Sequence, residues 1–314
     1  MITIFLGAGF SRIAGIPLAS QLFEERPNVD KITRKKLVAQ VVSSWENWYN
    51  QTKGTSEQFL AYLEKQGSTE WRQAVWYVAL AITIPLASVE YVGAIPTIIR
   101  HNINRTTNDA THENFWTTIF KKTEDVTVIT TNYDILAERG LRHEPRPRIH
   151  RPGFNYGCGE ENLIGGGYPS YTHIRPIRIS GKVPLIKLHG SISWAVKNGK
   201  LIHYHDCRPA IRGDAAILAP ITEKEPPSFL QTQWDQASKA LSASNKWIIV
   251  GYSLPFYDLA IQKLFLDNSN HKPEIHLFDP NNNVAKSFAK LLPDLLIKEH
   301  EGLPNGISEL DSML

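Results

Sequence analysis

The run Ile2-Thr3-Ile4-Phe5-Leu6, broken at once by Gly7-Ala8-Gly9, constrains the fold of this chain more than any other feature. Its short, apolar and β-branched character suits a strand buried on both faces, and the glycines suit a tight turn at the carboxyl end. A strand buried on both faces belongs to a parallel sheet, so further bursts of the same kind should recur after crossover-length intervals. They recur at Val126 to Thr130, Leu185 to Leu188, Ala215 to Leu218, Trp247 to Val250 and Ile275 to Phe278. Each is closed by Thr-Asn, His-Gly, Pro, Gly or Asp, the residues of loops along a carboxyl edge. Together the six runs predict an α/β fold, a Rossmann-like doubly wound parallel sheet whose ligands bind along that edge.

The remaining segments fit one domain spanning residues 1–314. From Asp30 to about Lys122 the apolar residues take helical spacing, as in Phe59, Leu60 and Leu63 and then Trp71, Val75 and Trp76, which predicts a helical insertion at about 30–122. Arg139 to Gly167 is rich in Arg, Pro and Gly without periodicity, and a loop-rich excursion is expected over about 139–184. Gln73 to Val89 carries no charged residue, yet Thr83 and Pro85 interrupt it before the roughly 20 apolar residues a membrane span needs. It reads as a buried core helix, with an oligomer interface as the alternative.

Charge and cysteine content narrow the functional classes. Thirty-four basic residues against thirty-one acidic leave +3, which gives no expectation of nucleic-acid or membrane binding. The cluster Arg139, Arg142, Arg146, Arg148 and Arg151 is diluted by Glu138 and Glu144 and lacks interleaved aromatic rings, so a solvated loop or partner surface is expected rather than a nucleic-acid site. Cys158 and Cys207 are the only cysteines, which excludes a disulfide framework and a four-cysteine zinc site within one chain. The amino terminus has no basic region or cleavage site of a secretory signal, and a cytoplasmic location is the expectation.

The glycine turn itself fails two familiar tests. A dehydrogenase fingerprint would need Gly or Ala where Arg12 stands and an acidic residue closing a second strand about twenty residues on. A phosphate-binding P-loop would need Gly-Lys-Ser or Gly-Lys-Thr. What remains is either a ligand-free strand–helix turn or a nucleotide loop of another type, with backbone N–H groups near a pyrophosphate.

Extended to Pro17 the loop reads GAGFSRIAGIP, and in this form it resembles the nucleotide loop of sirtuins and sirtuin-like proteins. Thr130-Thr131-Asn132-Tyr133-Asp134 is similar to that family's Thr-Gln-Asn-hydrophobic-Asp motif, Lys187-Leu188-His189-Gly190-Ser191 to its His-Gly motif, and Gly251-Tyr252-Ser253-Leu254-Pro255 to its Gly-x-Ser segment. The motifs occur in family order, and the resemblance runs from Gly7 to about Asn281. It implies a sirtuin-like fold and NAD+ as substrate. Gly7, Ala8, Gly9, Phe10, Ser11, Gly15, Ile16 and Pro17 would belong to the nucleotide loop, joined by Thr131, Tyr133, Gly251, Tyr252 and Ser253. Ser11 and Ser253 would meet phosphate or ribose oxygens, Asp134 the nicotinamide carboxamide, and Asp279 with Asn281 the adenosine ribose. Asp279-Pro280-Asn281 also reads as a plain turn.

Breaking the nicotinamide–ribose bond needs little nucleophilic force, because the pyridinium leaves readily; stabilising an oxocarbenium-like centre and excluding wrong acceptors matter more. The resemblance gives the chemistry to His189, as a general base towards water or a ribose hydroxyl, and to Asn132, whose amide would donate to ribose hydroxyls and orient water. The alternatives are a turn histidine and a helix cap, by Asn132 or Asp134, on a short helix from Ile135 to Arg139 ended by Gly140.

Two departures separate the chain from protein-deacylating sirtuins. The zinc ribbon of two Cys-x-x-Cys pairs is missing. His203, His205 and Cys207 would share one face of a strand, but a solvent-facing hairpin is expected there and no metal cofactor. Leu18-Ala19-Ser20 stands where deacylases have Asp-Phe-Arg. The chain thus resembles the bacterial sirtuin-like NADases of anti-phage defence, which implies hydrolysis of NAD+ to nicotinamide and ADP-ribose in abortive infection. With no fused sensor in the sequence, control is expected from a homo-oligomer, or from a partner such as the HerA-class ATPase translocases or Argonaute-like proteins paired with relatives. An NAD-dependent protein deacylase and a non-catalytic NAD or ADP-ribose sensor are the competing readings.

Overall fold

A computed structural model describes residues 1–24, 35–67, 69–83, 88–92, 95–100, 107–141, 152–156, 161–164, 176–179, 181–204, 209–210, 213–218 and 226–314. Strand β1 (Ile2–Leu6) leads through the one-turn α1 (Ala8–Arg12) and a 3-10 turn (Ala19–Gln21) to α2 (Lys35–Thr52), α3 (Ser56–Gln66) and α4 (Thr69–Thr83). A hairpin of β2 (Ser88–Val92) and β3 (Ile95–Arg100) and then α5 (Thr107–Lys122) precede β4 (Val126–Thr130) and α6 (Leu136–Leu141). Next come β5 (Phe154–Asn155), β6 (Glu161–Ile164), β7 (Pro176–Ile179), β8 (Val183–Lys187), β9 (Gly190–Lys197), β10 (Lys200–Tyr204) and β11 (Ala215–Ile217). The chain closes with α7 (Gln231–Ala243), β12 (Lys246–Val250), α8 (Leu259–Asp267), β13 (Glu274–Phe278), α9 (Asn283–Leu291), β14 (Ile297–His300) and α10 (Ile307–Met313).

The fold is α/β, built on a seven-stranded sheet in the order β14-β13-β12-β1-β4-β8-β5, with parallel pairing throughout. Its central strands are buried on both faces, as parallel strands covered by helices must be. The chain first fills one side of β1 and then crosses to the other, so the strand order reverses between β1 and β12. That is where a doubly wound sheet opens a crevice. Register is in phase across the switch: Leu6 pairs with Val250 on one side and Thr130 on the other, Thr130 with Lys187, and Val250 with Phe278. Every motif that follows one of these residues therefore emerges at the same edge.

Several expectations change. The Ala215 to Leu218 run is not in the main sheet; β11 pairs antiparallel with β9 in a second, five-stranded sheet of order β11-β9-β10-β6-β7. Strands β5 to β7 lie inside the excursion read as loops, and the helical insertion carries the β2–β3 hairpin. Gly140 does not end a helix. It sits within α6 because a Cβ there would lie 1.9 Å from Trp116 Nε1, so close packing selects the glycine. His203 lies on a hairpin strand as expected but is buried, packed on Tyr156 and Trp194 at ring-centroid distances of 4.6 and 5.0 Å. His205, Cys207, Arg142, Arg146, Arg148 and Arg151 lie outside the described residues, and Arg139 belongs to α6.

The uncharged stretch divides: Gln73 to Thr83 belongs to α4 and is core, with Ala74 and every residue from Trp76 to Thr83 buried, residues 84–87 lie outside the described residues, and Ser88 and Val89 open strand β2 instead of extending the helix. Among the described residues no helix is long and apolar enough to cross a membrane. An aromatic cluster seats the helices against the segment after the glycine loop, with Phe23 stacked on Tyr77 at 5.1 Å and on Trp45 at 5.2 Å and edge-on to Phe59 at 5.2 Å. Ser56 Oγ adds a 3.2 Å hydrogen bond to Ser20 O, which brings the start of α3 to the crevice.

Candidate active site

The crevice begins with backbone packed on backbone. Gly7 N–H donates to Val250 O at 3.0 Å and Gly9 N–H to Gly251 O at 2.8 Å. A Cβ on Gly7 would come within 2.5 Å of Gly251 O, and one on Gly251, whose φ is +61°, within 2.4 Å of Phe10 N. Glycine is required at both positions because two loops from neighbouring strands occupy the same space. Around them opens a cavity of about 750 Å³, within the usual size of small-molecule sites.

Of the residues singled out in the sequence, Ala8, Gly9, Ser11, Ile16 and Pro17 line this cavity from the first loop. Thr131, Asn132, Tyr133 and Asp134 line it from the loop after β4, and His189 from the turn after β8. Gly251, Tyr252 and Ser253 follow β12, and Asp279 and Asn281 follow β13. Leu18, Ala19 and Ser20 line it as well. Three positions do not. Phe10 is 1% exposed and points into the core, packed on His112, Phe115 and Trp116, so it anchors the loop rather than contacting a ligand. Gly15 stands exposed at φ +81°, and Gly7 serves through its backbone.

The loop after β4 is held by a continuous polar chain. Thr130 Oγ1 donates to Leu6 O at 3.0 Å and accepts from Asn132 N–H at 3.0 Å. Asn132 Nδ2 then donates to Gly7 O and to Ser11 Oγ, both at 2.8 Å, and Ser11 Oγ donates to Asp134 Oδ2 at 2.5 Å. Both amide hydrogens of Asn132 are thereby used. The expected role is inverted: what Asn132 has left to offer a ligand is its carbonyl oxygen, an acceptor for an O–H group. Asp134 Oδ1 accepts from Leu136 N–H at 2.8 Å, so Asp134 caps α6 and Asn132 does not.

Below this chain lies a buried ion pair the sequence did not reveal. Lys187 Nζ is 3.0 Å from Glu138 Oε1, with side chains 0% and 5% exposed, and also donates to Asp134 O. Tyr156 OH donates to the same Glu138 oxygen at 3.3 Å. Lys187 ends a core strand and fixes the backbone from which Asp134 projects. Its signal was its position: a lysine closing an otherwise apolar strand is out of place unless paired.

His189 is buried, and desolvation holds its imidazole below the usual histidine range, opposed by the Asp258 charge and a hydrogen bond to the Thr131 backbone. The neutral ring is a proton acceptor near pH 7. Gly190 turns the chain at φ +79°, where a Cβ would lie 2.1 Å from Ala216 O. Tyr133 OH donates to Leu218 O at 2.5 Å, and its ring centroid lies 6.2 Å from that of His189.

Three further polar residues on this cavity belong to none of the sequence motifs: Glu57 at the start of α3, and Tyr257 and Asp258 shortly beyond the Gly251 motif. Tyr252 OH donates to Asp258 Oδ2 at 2.7 Å and Tyr257 OH to Glu57 Oε1 at 2.7 Å. Burial first, and then these carboxylates, raise the phenols of Tyr133, Tyr252 and Tyr257, which stay protonated donors. Asp279 takes the turn geometry weighed for it, accepting from Asn281 N–H at 2.9 Å, and burial pushes its carboxyl up. Among the described residues no group of three or more His, Cys, Asp or Glu side chains could hold a metal.

No protein-family model matches this sequence, and no curated protein matches it. Solved structures do. A structure on the mechanism and regulation of Sir2 enzymes is similar at 11% identity over 99% of this chain and 90% of that one, with a TM-score of 0.44. A Sir2 complex with the inhibitor EX-527, 2′-O-acetyl-ADP-ribose and a deacetylated p53 peptide is similar at 13% identity over 100% and 92%, with a TM-score of 0.43. A Sir2 homolog in complex with NAD is similar at 12% identity over 99% and 88%, with a TM-score of 0.41.

Proposed function

We propose that the chain hydrolyses NAD+ to nicotinamide and ADP-ribose. The observation that carries this reading is the pairing, in one crevice at the switch point, of a neutral buried His189 with an Asn132 whose only free polar atom is an acceptor. Two acceptors suit a ribose hydroxyl and an attacking water. As the C1′–N bond breaks, its electron pair neutralises the pyridinium, water oxygen bonds C1′, and the released proton passes to the base. Asp134 is held by Ser11 and Leu136 and lines the same cavity, where it would receive the carboxamide. The cavity end lined by Asp279 and Asn281 would receive the adenosine ribose.

The four sirtuin-like motifs support NAD+ as the substrate, and the missing ribbon with Leu18-Ala19-Ser20 supports water over acyl-lysine as the acceptor. On the same resemblance the biological role is NAD+ depletion in anti-phage defence, from the cytoplasm, under control of self-assembly or a translocase-like or Argonaute-like partner. The test is nicotinamide release from NAD+ by the purified chain, with and without an acetyl-lysine peptide. Peptide-independent release should fall about 100-fold or more in His189→Ala and Asn132→Ala. Strict peptide dependence would make the chain a deacylase, and ADP-ribose binding without turnover a sensor.

A further inference from the structure

Glu57 is 3% exposed and lines the cavity, although it belongs to the helical insertion and to none of the motifs. Its place is built. The Thr55–Gln58 capping box starts α3, with Thr55 N–H donating to Gln58 Oε1 at 2.8 Å and Gln58 N–H to Thr55 Oγ1 at 3.3 Å. The neighbouring Ser56 ties this turn to Ser20. One carboxylate oxygen, Oε1, accepts from Tyr257 OH across the cavity at 2.7 Å. The other, Oε2, is buried with no hydrogen-bond partner. A buried carboxylate oxygen without a donor is costly to keep, and such a group in a cleft marks where a ligand supplies the donor.

The surroundings say which donor. Glu57 lines the same cavity as His189, Asn132 and Tyr133, and its partner Tyr257 is followed directly by Asp258, which holds Tyr252 of the Gly251 motif, so the unsatisfied oxygen opens onto the crevice that would receive NAD+. We propose that Glu57 Oε2 holds the acceptor water and takes its proton as water oxygen bonds ribose C1′ and the C1′–N electron pair leaves with nicotinamide. His189 is then free to serve a ribose hydroxyl. This rests on the NAD+ hydrolase reading and extends it, because it makes the helical insertion part of the chemistry. A carboxylate there also favours the positive charge that develops on the ribose.

Two substitutions separate this role from a mere latch. Glu57→Gln keeps an acceptor for Tyr257 and removes the charge; Tyr257→Phe breaks the latch and keeps the carboxylate. The expected result is a fall in kcat of about 10- to 100-fold for Glu57→Gln, with KM within about threefold, and a fall at least threefold smaller for Tyr257→Phe, which loses a donor on the cavity but keeps the carboxylate. If Glu57→Gln does not fold, Glu57→Asp, which retains the charge but draws it back by one methylene, carries the same measurements with a smaller fall. Unchanged kcat in the Glu57 variants, or an equal fall in Tyr257→Phe, would overturn the inference alone. Absence of nicotinamide release from the wild type would overturn the hydrolase reading with it.

Discussion

Replacing Lys187 with methionine tests whether the site stands on its buried ion pair. Lys187 is fully buried and 3.0 Å from Glu138, which is itself 5% exposed. Removing one partner leaves the other charge in the core, and that loss is about 3–5 kcal/mol, well above the value of a surface pair. For 314 residues the entropy of unfolding is about 0.7 kcal/mol per degree, so the melting midpoint should fall by about 4–7 °C. Removing both charges, in Lys187→Met with Glu138→Leu, should recover more than half of that, because no orphan charge remains. Turnover should not recover alongside it, since Asp134 O has still lost the ammonium that fixes it. Urea unfolding with nicotinamide release on the same three proteins measures both. A loss under about 1 kcal/mol in the single variant, or a double variant no more stable than the single, would refute the argument that the pair is buried and coupled.

Gly251→Ala should lower stability by about 1–3 kcal/mol from the left-handed backbone alone, with a further loss because its Cβ would stand 2.4 Å from Phe10 N; calorimetry should also show NAD+ binding abolished. The pH profile of kcat/KM should carry its acid limb below 6.5, the ordinary histidine value from which burial lowers His189. The sign follows from protonation disabling the base: a depressed pKa keeps the ring neutral to lower pH, and the limb should vanish from the residual activity of His189→Gln. A limb above 6.5 would mean that Asp258, not burial, governs the ring.

The parts of the fold that were legible share one physical cause. β1, β4, β12 and β13 are buried on both faces, so their sequences are continuous apolar bursts that announce themselves without an alignment. β14 went unseen because an edge strand that reads Ile-Lys-Glu-His is half solvated, and the two-residue β5 has no pattern to show. The sequence of Ala215–Ile217 signals a strand but not its sheet, because a three-residue burst carries no information about its partner.

The site divides along the same line. Ser11, Asn132, Asp134, His189 and Ser253 follow strands whose in-phase register delivers them to one edge, so finding the strands was enough to bring them together. Phe10 does not line the cavity because a motif names positions, not directions, and its ring turns inward to His112 and Phe115. Glu57, Lys187 and Asp258 were beyond reach for a stronger reason. Whether Glu57 meets the cavity depends on Phe59 and Tyr77 packing around Phe23, and whether Lys187 is tolerable depends on Glu138 rising from a different element. Such charges acquire meaning only from contacts between segments far apart in sequence. A chain whose binding motifs are local and whose proton acceptors and buried charges are assembled by packing can therefore keep its ligand class while its acceptor changes, through substitutions that leave every motif intact. Glu57 and Leu18-Ala19-Ser20 line the cavity outside every motif, which is why the acceptor must be argued from geometry and not from the motifs.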